Sequence, residues 1–308
     1  MKDLVIIGSG PAGLSAAVYA YRGMLDVTVV EKQPFSGGQI VNTEQVDNYL
    51  GLCGINGFDM GMKFREHVDS FNVPFTEGEV IGIEQLTDKK GFKLTLDNND
   101  TIETKTVLIA TGASHKKLGI EGENKFAGAG VSYCATCDGA FFKNKEVALV
   151  GGGDVALEDA LYLSKICKKV YLIHRREGLR GAKVLQEKMK KTENIEFLPF
   201  YEVESINGEN VVESLTIVNN KTKEKKELSV SGLFVAIGME PHTDFAKGIV
   251  AMDDAGYIKA SEDGITDTPG IFVAGDVRTK NLRQVVTAVS DGANGVYSIL
   301  SYMEKEEI

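Results

Sequence analysis

Two cysteines lie three positions apart near the middle of the chain, and a carboxylate follows them at once: Cys134, Cys137 and Asp138. This spacing lets the two sulfur atoms face each other across one helical turn, where they can form a disulfide or open to a dithiol. Cys134 is at the N-terminal end of that turn, where helix amides favour a thiolate. The segment therefore predicts redox chemistry, in which Asp138 can carry the proton that a thiol gains or loses.

Other interpretations of the cysteines stay open. The Cys134/Cys137 pair has the spacing of half a zinc site, although Cys53 and Cys167 lack paired spacing and the four histidines are scattered. Asp138 is also placed to cap the helix that follows it. Cys53 and Cys167 are expected to be core thiols.

The composition limits the classes of function. The 308 residues are 43% hydrophobic and 25% charged, which predicts a sizeable core and two domains. The net charge of -10, without a basic stripe, argues against a nucleic-acid partner. The first residues lack the features of a signal peptide, and no apolar run is long enough to span a bilayer. We expect a cytoplasmic protein with no membrane partner.

A glycine-rich turn stands on each side of the cysteine pair. The first, Gly8-Ser9-Gly10-Pro11-Ala12-Gly13, follows a buried apolar strand and precedes a helix of small residues. The next strand, residues 27–31, ends in Glu31, whose carboxylate can accept hydrogen bonds from a ribose diol. This is the pattern of a dinucleotide-binding βαβ unit.

The same pattern recurs at a constant offset of 143 positions, so that Gly8, Gly13 and Glu31 correspond to Gly151, Ala156 and His174. The two halves also end alike, at residues 107–112 and 233–238, after hairpin segments near 79–102 and 202–230. We infer an internal duplication of one α/β domain.

The end of the chain returns to the first half. A strand over residues 270–276 ends in Gly275-Asp276, and a long helix is expected from Asn281 to Met303. The predicted apolar face of that helix carries Val285, Val286, Val289, Val296 and Leu300. The predicted fold is α/β, with two Rossmann-like three-layer dinucleotide-binding domains, the second inserted into the first. The predicted boundaries are 1–116 with 244–308 for the first domain and 117–243 for the second.

Charge distinguishes the two predicted binding sites. Glu31 repels a 2'-phosphate, whereas the second repeat has His174-Arg175-Arg176 at the same place and Arg180 four residues further on. Arginines pair with a 2'-phosphate, so the first repeat is expected to bind FAD or NAD and the second NADP. The alternative for these arginines is a solvated strand end.

Taken in order along the whole chain, these motifs resemble low-molecular-weight thioredoxin reductase, an FAD- and NADPH-dependent disulfide oxidoreductase family. The resemblance implies a homodimer that reduces the disulfide of thioredoxin. It also implies that Cys137 faces the flavin, that Cys134 attacks the protein substrate, and that the inserted domain rotates about crossings near 114–118 and 241–245.

The resemblance assigns binding residues as well. The flavin contacts it implies are Gly8, Gly10, Pro11, Ala12, Gly13, Glu31, Lys32, Gly38, Gln39, Asn48, Val80, Thr111, Gly112, Gly275, Asp276, Arg283, Gln284, Val285 and Ala288. The NADPH contacts it implies are Gly151, Gly153, Asp154, Ala156, His174, Arg175, Arg176, Arg180, Ile237 and Gly238. Val155 and the glycines at 178 and 181 depart from the family pattern, and those glycines predict a looser phosphate clamp around Arg180.

Two other functions remain as alternatives. One is a related flavin enzyme that serves another small redox protein, such as a peroxiredoxin or a glutaredoxin-like partner. The other is a redox sensor that binds dinucleotides and is reduced once without turnover.

Overall fold

The structure, a computed structural model, describes residues 1–43, 45–87 and 90–306. Its strands are β1 (Lys2–Ile7), β2 (Val27–Glu31), β3 (Phe75–Glu77), β4 (Val80–Gln85), β5 (Phe92–Leu96), β6 (Thr101–Ile109), β7 (Ala113–His115), β8 (Val131–Ser132), β9 (Glu146–Gly151), β10 (Lys169–His174), β11 (Ile195–Pro199), β12 (Tyr201–Asn207), β13 (Ser214–Asn219), β14 (Lys225–Ser229), β15 (Gly232–Ala236), β16 (Met239–Pro241) and β17 (Ile271–Val273). Its α-helices are α1 (Pro11–Arg22), α2 (Gly57–Asp69), α3 (Ala135–Asp138), α4 (Asp154–Leu163), α5 (Lys183–Lys190) and α6 (Val285–Glu306).

The chain divides into two compact units, residues 1–114 with 240–308, and residues 115–239. Each has a parallel sheet and its own helices, so the predicted fold class is confirmed. The chain leaves and re-enters the first unit through the paired strands β7 and β16.

The first unit is built on a sheet in which β3, β2, β1 and β6 lie side by side in parallel. β17 extends the sheet by pairing in parallel with the end of β6, and the β4–β5 hairpin pairs with the beginning of β6. Alternate side chains of β1 enter two cores: Leu4 and Ile6 pack with α1 and α6, whereas Val5 and Ile7 pack with the hairpin. Burial on both faces explains why β1 ends in four consecutive apolar residues, 4–7.

Helix α6 differs from its prediction. It begins at Val285 rather than Asn281, and Val286, placed on the apolar face from the sequence, is 51% exposed. The predicted Val296 and Leu300 do pack in the core, but the buried face also carries small residues: a Cβ on Gly292 would stand 2.1 Å from the carbonyl oxygen of Ala12 in α1. The close approach to α1 thus requires glycine at position 292. The spacing of the valines does not reveal this requirement.

The second unit repeats this arrangement. Its parallel sheet has the order β11-β10-β9-β15-β8, which matches β3-β2-β1-β6-β17 of the first unit. Val147 and Leu149 of β9 pack with α4 on one face, and Ala148 packs with the β12–β13–β14 meander on the other. The three layers thus follow from alternation along the central strand. Among the helices described in either unit, none is long and apolar enough to cross a membrane.

Candidate functional site

The cysteine pair lies where strand β8 runs into the single-turn helix α3. Cys134 and Cys137 are joined by a disulfide, with their Cα atoms 5.3 Å apart. Cys134 is the N-cap residue of α3, and its Sγ accepts a hydrogen bond of 3.2 Å from the Cys137 backbone N–H. Both cysteines are half-buried. The helix amide is thus already directed at the sulfur of Cys134, as a stabilised thiolate requires.

Asp138 ends α3, and its carboxylate lies beside Ser132. The Ser132 hydroxyl donates to Oδ2 of Asp138 over 2.6 Å. Asp138 makes no capping hydrogen bond to the described turn Gly139–Phe142, so the interpretation of Asp138 as a simple helix cap is wrong. The structure places this carboxylate against Ser132, whose hydroxyl oxygen also accepts the backbone N–H of Cys134.

A buried glutamate fixes the chain that enters the cysteine segment. The carboxylate of Glu123 accepts the Tyr133 hydroxyl at 2.9 Å and the backbone N–H groups of Leu118 and Gly119 at 2.9 and 2.7 Å. Burial and this hydrogen bond raise the pKa of Tyr133, so its hydroxyl keeps its proton and stays a donor. The ring of Tyr133 stacks on His115, and burial lowers the pKa of that imidazole. The sequence did not single out Glu123, because an isolated acid carries no local signal of burial.

The first glycine turn is compatible only with glycine at two positions. A Cβ on Gly8, whose φ is +102°, would stand 2.6 Å from the Ala110 carbonyl oxygen, and one on Gly13 would stand 1.9 Å from that of Gly8. Glu31 lies against the turn, where its Oε2 accepts both the backbone N–H and the hydroxyl of Ser9 at 2.7 Å. The acid and the turn, 22 residues apart, form one site.

Several other predicted flavin contacts gather around this turn. Gly38 lies against Gly10, and Gly275 lies against Ala12 and Ala288. Asn48 donates to the side-chain oxygen of Gln284 at 2.9 Å, and Gln39 donates to the carbonyl oxygen of Ala113. Three predicted contacts have protein partners: Lys32 pairs with Glu79, the Thr111 hydroxyl bonds the His242 carbonyl, and Val80 is buried in the core.

Asp276 follows Gly275 and has a buried oxygen that is unpaired within the described part of the chain. Its Oδ1 is buried without a hydrogen-bond partner among the described residues, and burial raises its pKa. Buried polar atoms are nearly always paired, so this oxygen fits a hydroxyl-bearing group such as the ribitol of a flavin. The glycine turn, Glu31 and Asp276 are thus residues that could hold a flavin cofactor.

A buried charged cluster, which the sequence analysis did not identify, holds the backbone next to Asp276. Asp291 in α6 accepts hydrogen bonds from the Gly275 backbone N–H, from Arg278 and from Lys280. Asp291, Arg278 and Lys280 all have almost fully buried side chains. The backbone before Asp276 is therefore held by a buried ionic network.

The second glycine turn is equally restricted. A Cβ on Gly151 would stand 2.6 Å from the Ala236 carbonyl oxygen, and one on Gly152 would stand 2.3 Å from the imidazole of His174. His174 is buried, and its Nε2 lacks a partner among the described residues. Burial lowers the pKa of His174, so the ring is neutral where it packs on the turn.

The segment after the arginine motif folds onto this turn. The backbone N–H of Arg180 donates to the Gly152 carbonyl at 2.6 Å, and that of Ala182 donates to Oδ1 of Asp154 at 2.7 Å. A Cβ on Gly181 would stand 2.6 Å from Leu157, so Gly181 permits close packing on helix α4. Arg175, Arg176 and Arg180 are exposed and available to an anion.

The two remaining cysteines differ. Cys167 is buried, as predicted, and burial raises its thiol pKa to about 11. Cys53 is exposed, so its prediction as a core thiol is wrong. It lies in a turn between Gly51 and Gly54, both of which have positive φ. Within the described residues, no group of three potential ligands could hold a metal ion.

Known proteins match the chain over almost its whole length. It is 44% identical to a thioredoxin reductase of Helicobacter pylori, covering 99% of both chains. It is 40% identical to the thioredoxin reductase of Bacillus subtilis, covering 98% of this chain and 95% of the relative. The crystal structure of thioredoxin reductase from Streptococcus pyogenes superimposes with a TM-score of 0.94 at 41% identity, covering 99% of both chains. The sequence pattern of the pyridine nucleotide-disulphide oxidoreductases matches residues 2–292, and the chain belongs to that family.

Proposed function

We propose that this protein is a thioredoxin reductase that uses NADPH and FAD. The observation that carries the proposal is the Cys134–Cys137 disulfide, which Asp138 follows directly. The chain also has two glycine turns typical of dinucleotide binding, one associated with the acidic Glu31 and the other with the basic Arg175 and Arg176. Relatives with 40% and 44% identity over almost the whole chain bear the name thioredoxin reductase. Bound FAD would supply the transfer of an electron pair from the nicotinamide to the disulfide.

The two units would divide the binding. The turn from Gly8 to Gly13, together with Glu31 and Asp276, would hold FAD in the unit of residues 1–114 and 240–308. The turn from Gly151 to Ala156 and the exposed arginines at 175, 176 and 180 would hold NADPH in the unit of residues 115–239. The arginines supply the preference for the 2'-phosphate.

The cysteines would then pass two electrons to the substrate. Two electrons and one proton convert the Cys134–Cys137 disulfide into a thiolate on Cys134 and a thiol on Cys137. The Cys134 thiolate attacks the substrate disulfide, forms a mixed disulfide and releases one substrate thiol. Cys137, deprotonated as it attacks, then displaces the second substrate thiol from Cys134 and restores the internal disulfide. Asp138 would give and take the protons of these steps.

We further propose a cytoplasmic homodimer, by analogy with the family. A related enzyme serving another small redox protein is the second candidate, since the cysteine chemistry is the same. A redox sensor differs from both because it would be reduced once and stop.

The test is anaerobic titration of the yellow holoprotein with NADPH or NADH, followed by oxidised thioredoxin. Bleaching of the flavin band by NADPH, with repeated appearance of thioredoxin thiols, is expected. Cys134→Ser and Cys137→Ser should still bleach but release thiols at less than about 1% of the wild-type rate. Cys53→Ser, an exposed cysteine outside the pair, is the matched control. Bleaching without catalytic thiol release by the wild type would exclude thioredoxin as the substrate.

A further inference from the structure

Ser132 lies between the two functional groups of the cysteine segment. It ends strand β8, and its side chain is only 4% exposed. Its hydroxyl oxygen accepts a hydrogen bond of 3.1 Å from the Cys134 backbone N–H and lies 2.6 Å from Oδ2 of Asp138. A second acceptor, the Cys134 carbonyl oxygen, lies 3.3 Å away. Ser132 thus contacts the backbone of one cysteine and the carboxyl group that follows the other.

The direction of these hydrogen bonds depends on the protonation of Asp138. An ionised carboxylate only accepts, so the Ser132 hydroxyl must donate to it while its oxygen accepts the Cys134 N–H. A protonated Asp138 can donate to the Ser132 oxygen instead, and the hydroxyl proton is then free to turn to the Cys134 carbonyl. A hydroxyl offers one donor and two acceptor positions, and the second arrangement uses all three.

Both arrangements use the same heavy-atom positions. The Cys134 carbonyl already accepts the Asp138 backbone N–H at 3.1 Å, and its second lone pair remains for the hydroxyl. Rotation of one hydroxyl proton therefore converts one arrangement into the other. A site that needs no rearrangement when charge changes is preorganised for the transfer.

We propose that Ser132 is a positioning residue that keeps the Asp138 carboxyl group hydrogen-bonded in both protonation states. Asp138 can then take a proton from a thiol and return it to a leaving thiolate without moving. The inference rests on the proposed function, because it concerns the proton steps of the same cysteine pair. It adds a residue whose side chain acts through Asp138 and not on sulfur.

The test isolates the dithiol from the rest of the reaction. The holoprotein is reduced with dithiothreitol, desalted anaerobically and mixed in a stopped-flow instrument with a small aromatic disulfide, in H₂O and in D₂O. Ser132→Ala removes the hydroxyl, and Ser132→Thr retains it. Ser214→Ala is the matched control, because Ser214 is also buried in the same unit and donates to Glu227 at 2.7 Å.

We expect Ser132→Ala to slow the exchange about 10-fold and to increase its solvent isotope effect, because proton transfer becomes limiting when Asp138 loses the hydroxyl that pairs with it in both protonation states. The exchange rate of Ser132→Thr should remain within about 3-fold of the wild-type rate, because threonine retains the hydroxyl. The rate of Ser214→Ala should equal that of the wild type. Reduction by NADPH of a one-electron dye that takes electrons from the flavin provides the reference rate for each variant. An unchanged rate in Ser132→Ala, or an equal loss of the dye reaction, would overturn the proposal.

This experiment uses neither thioredoxin nor a nucleotide in its first step. A protein that exchanges with the small disulfide as described but does not turn over thioredoxin would refute the proposed substrate and leave the role of Ser132 supported. If the wild type and Ser132→Ala turn over thioredoxin at the same rate, the proposed substrate is supported and the role of Ser132 is refuted.

Discussion

Asp291 and Arg278 form a two-point ion pair in the interior of the first unit. Arg278 Nε lies 2.8 Å from Oδ2 of Asp291, and Arg278 Nη2 lies 2.7 Å from Oδ1. Lys280 adds a third contact of 2.9 Å to the same carboxylate. Since Asp291 also accepts the Gly275 N–H at 3.0 Å, the pair fixes the backbone beside the unpartnered oxygen of Asp276.

Removal of this carboxylate should be costly. Asp291→Ala leaves two buried cations without their partner, and we expect it to lower the free energy of unfolding by about 3–5 kcal/mol. Asp26→Ala, which breaks an exposed pair with Lys2, should cost no more than about 1 kcal/mol. Denaturant titration of both variants at pH 7 measures the difference. Equal effects would show that the buried pair contributes nothing beyond an exposed one.

The same variant should show a defined dependence on pH. Burial alone would raise the pKa of Asp291, but the hydrogen bonds from Arg278 and Lys280 outweigh it and hold the pKa below its ordinary value. A carboxyl group with a lowered folded-state pKa contributes stability above its unfolded pKa and loses it as the pH falls through the folded value. The difference in the free energy of unfolding between wild type and Asp291→Ala, measured by denaturant titration, should therefore become smaller as the pH is lowered.

The contact between Glu31 and Ser9 predicts an effect on flavin retention. Glu31→Ala removes the acceptor of both hydrogen bonds from Ser9 and the proposed ribose ligand. A hydrogen bond to a charged group contributes about 1.5–3 kcal/mol. Loss of the proposed contact with the ribose should therefore weaken FAD binding about 10- to 100-fold. The ratio of flavin to protein absorbance after dialysis measures this. Glu77→Ala, an exposed acid on neighbouring strand β3, is expected to retain its flavin.

The exposed arginines predict the choice between nucleotides. The double variant Arg175→Ala/Arg176→Ala removes two cations from the end of strand β10. We expect its KM for NADPH to rise about 10- to 100-fold, because charge-assisted pairs with a phosphate are lost, and its KM for NADH to change little. Arg22→Ala, an exposed arginine of the first unit, should alter neither value. Parallel increases for both nucleotides would contradict a role in reading the 2'-phosphate.

Asp159 in helix α4 predicts a stabilising substitution. Burial, with a smaller contribution from Glu158, raises the pKa of Asp159 to about 6. The folded state then holds a proton that the unfolded state releases, so stability decreases as the pH rises from the ordinary value to about 6 and stays reduced above it. Asp159→Asn removes this penalty and should stabilise the protein by about 1–2 kcal/mol at pH 8. Thermal unfolding at pH 4 should show no such gain.

The sequence was sufficient for features that repeat or that follow local rules. Both glycine turns, the acid at Glu31 and the cysteine pair have fixed spacings, and the structure places each at the predicted end of a strand or start of a helix. The inserted arrangement was predicted because a further strand, ending in Gly275-Asp276, and a long helix follow the second repeat. These features depend on backbone geometry within a few residues.

The parts that the sequence did not reveal depend on contacts between distant segments. The buried partners Ser132, Glu123 and Asp291 are ordinary polar residues until the fold surrounds them. The buried face of α6 is set by the approach of Gly292 to α1, some 280 positions earlier in the chain. Periodicity reports where apolar residues recur, but not where backbone contact makes a small residue necessary.

The two ends of the insertion are held side by side within the first unit. The His242 backbone N–H donates to the Gly112 carbonyl at 3.1 Å, and the Ser114 hydroxyl lies 2.7 Å from Nε2 of His242. The segment between Ser114 and His242 is therefore closed at its two ends like a loop. The entropic cost of closing a loop rises by only about 0.6 kcal/mol for each doubling of its length. The intervening segment can therefore lengthen or shorten by whole elements during evolution while the sheet that carries Gly8 and Glu31 remains unaltered.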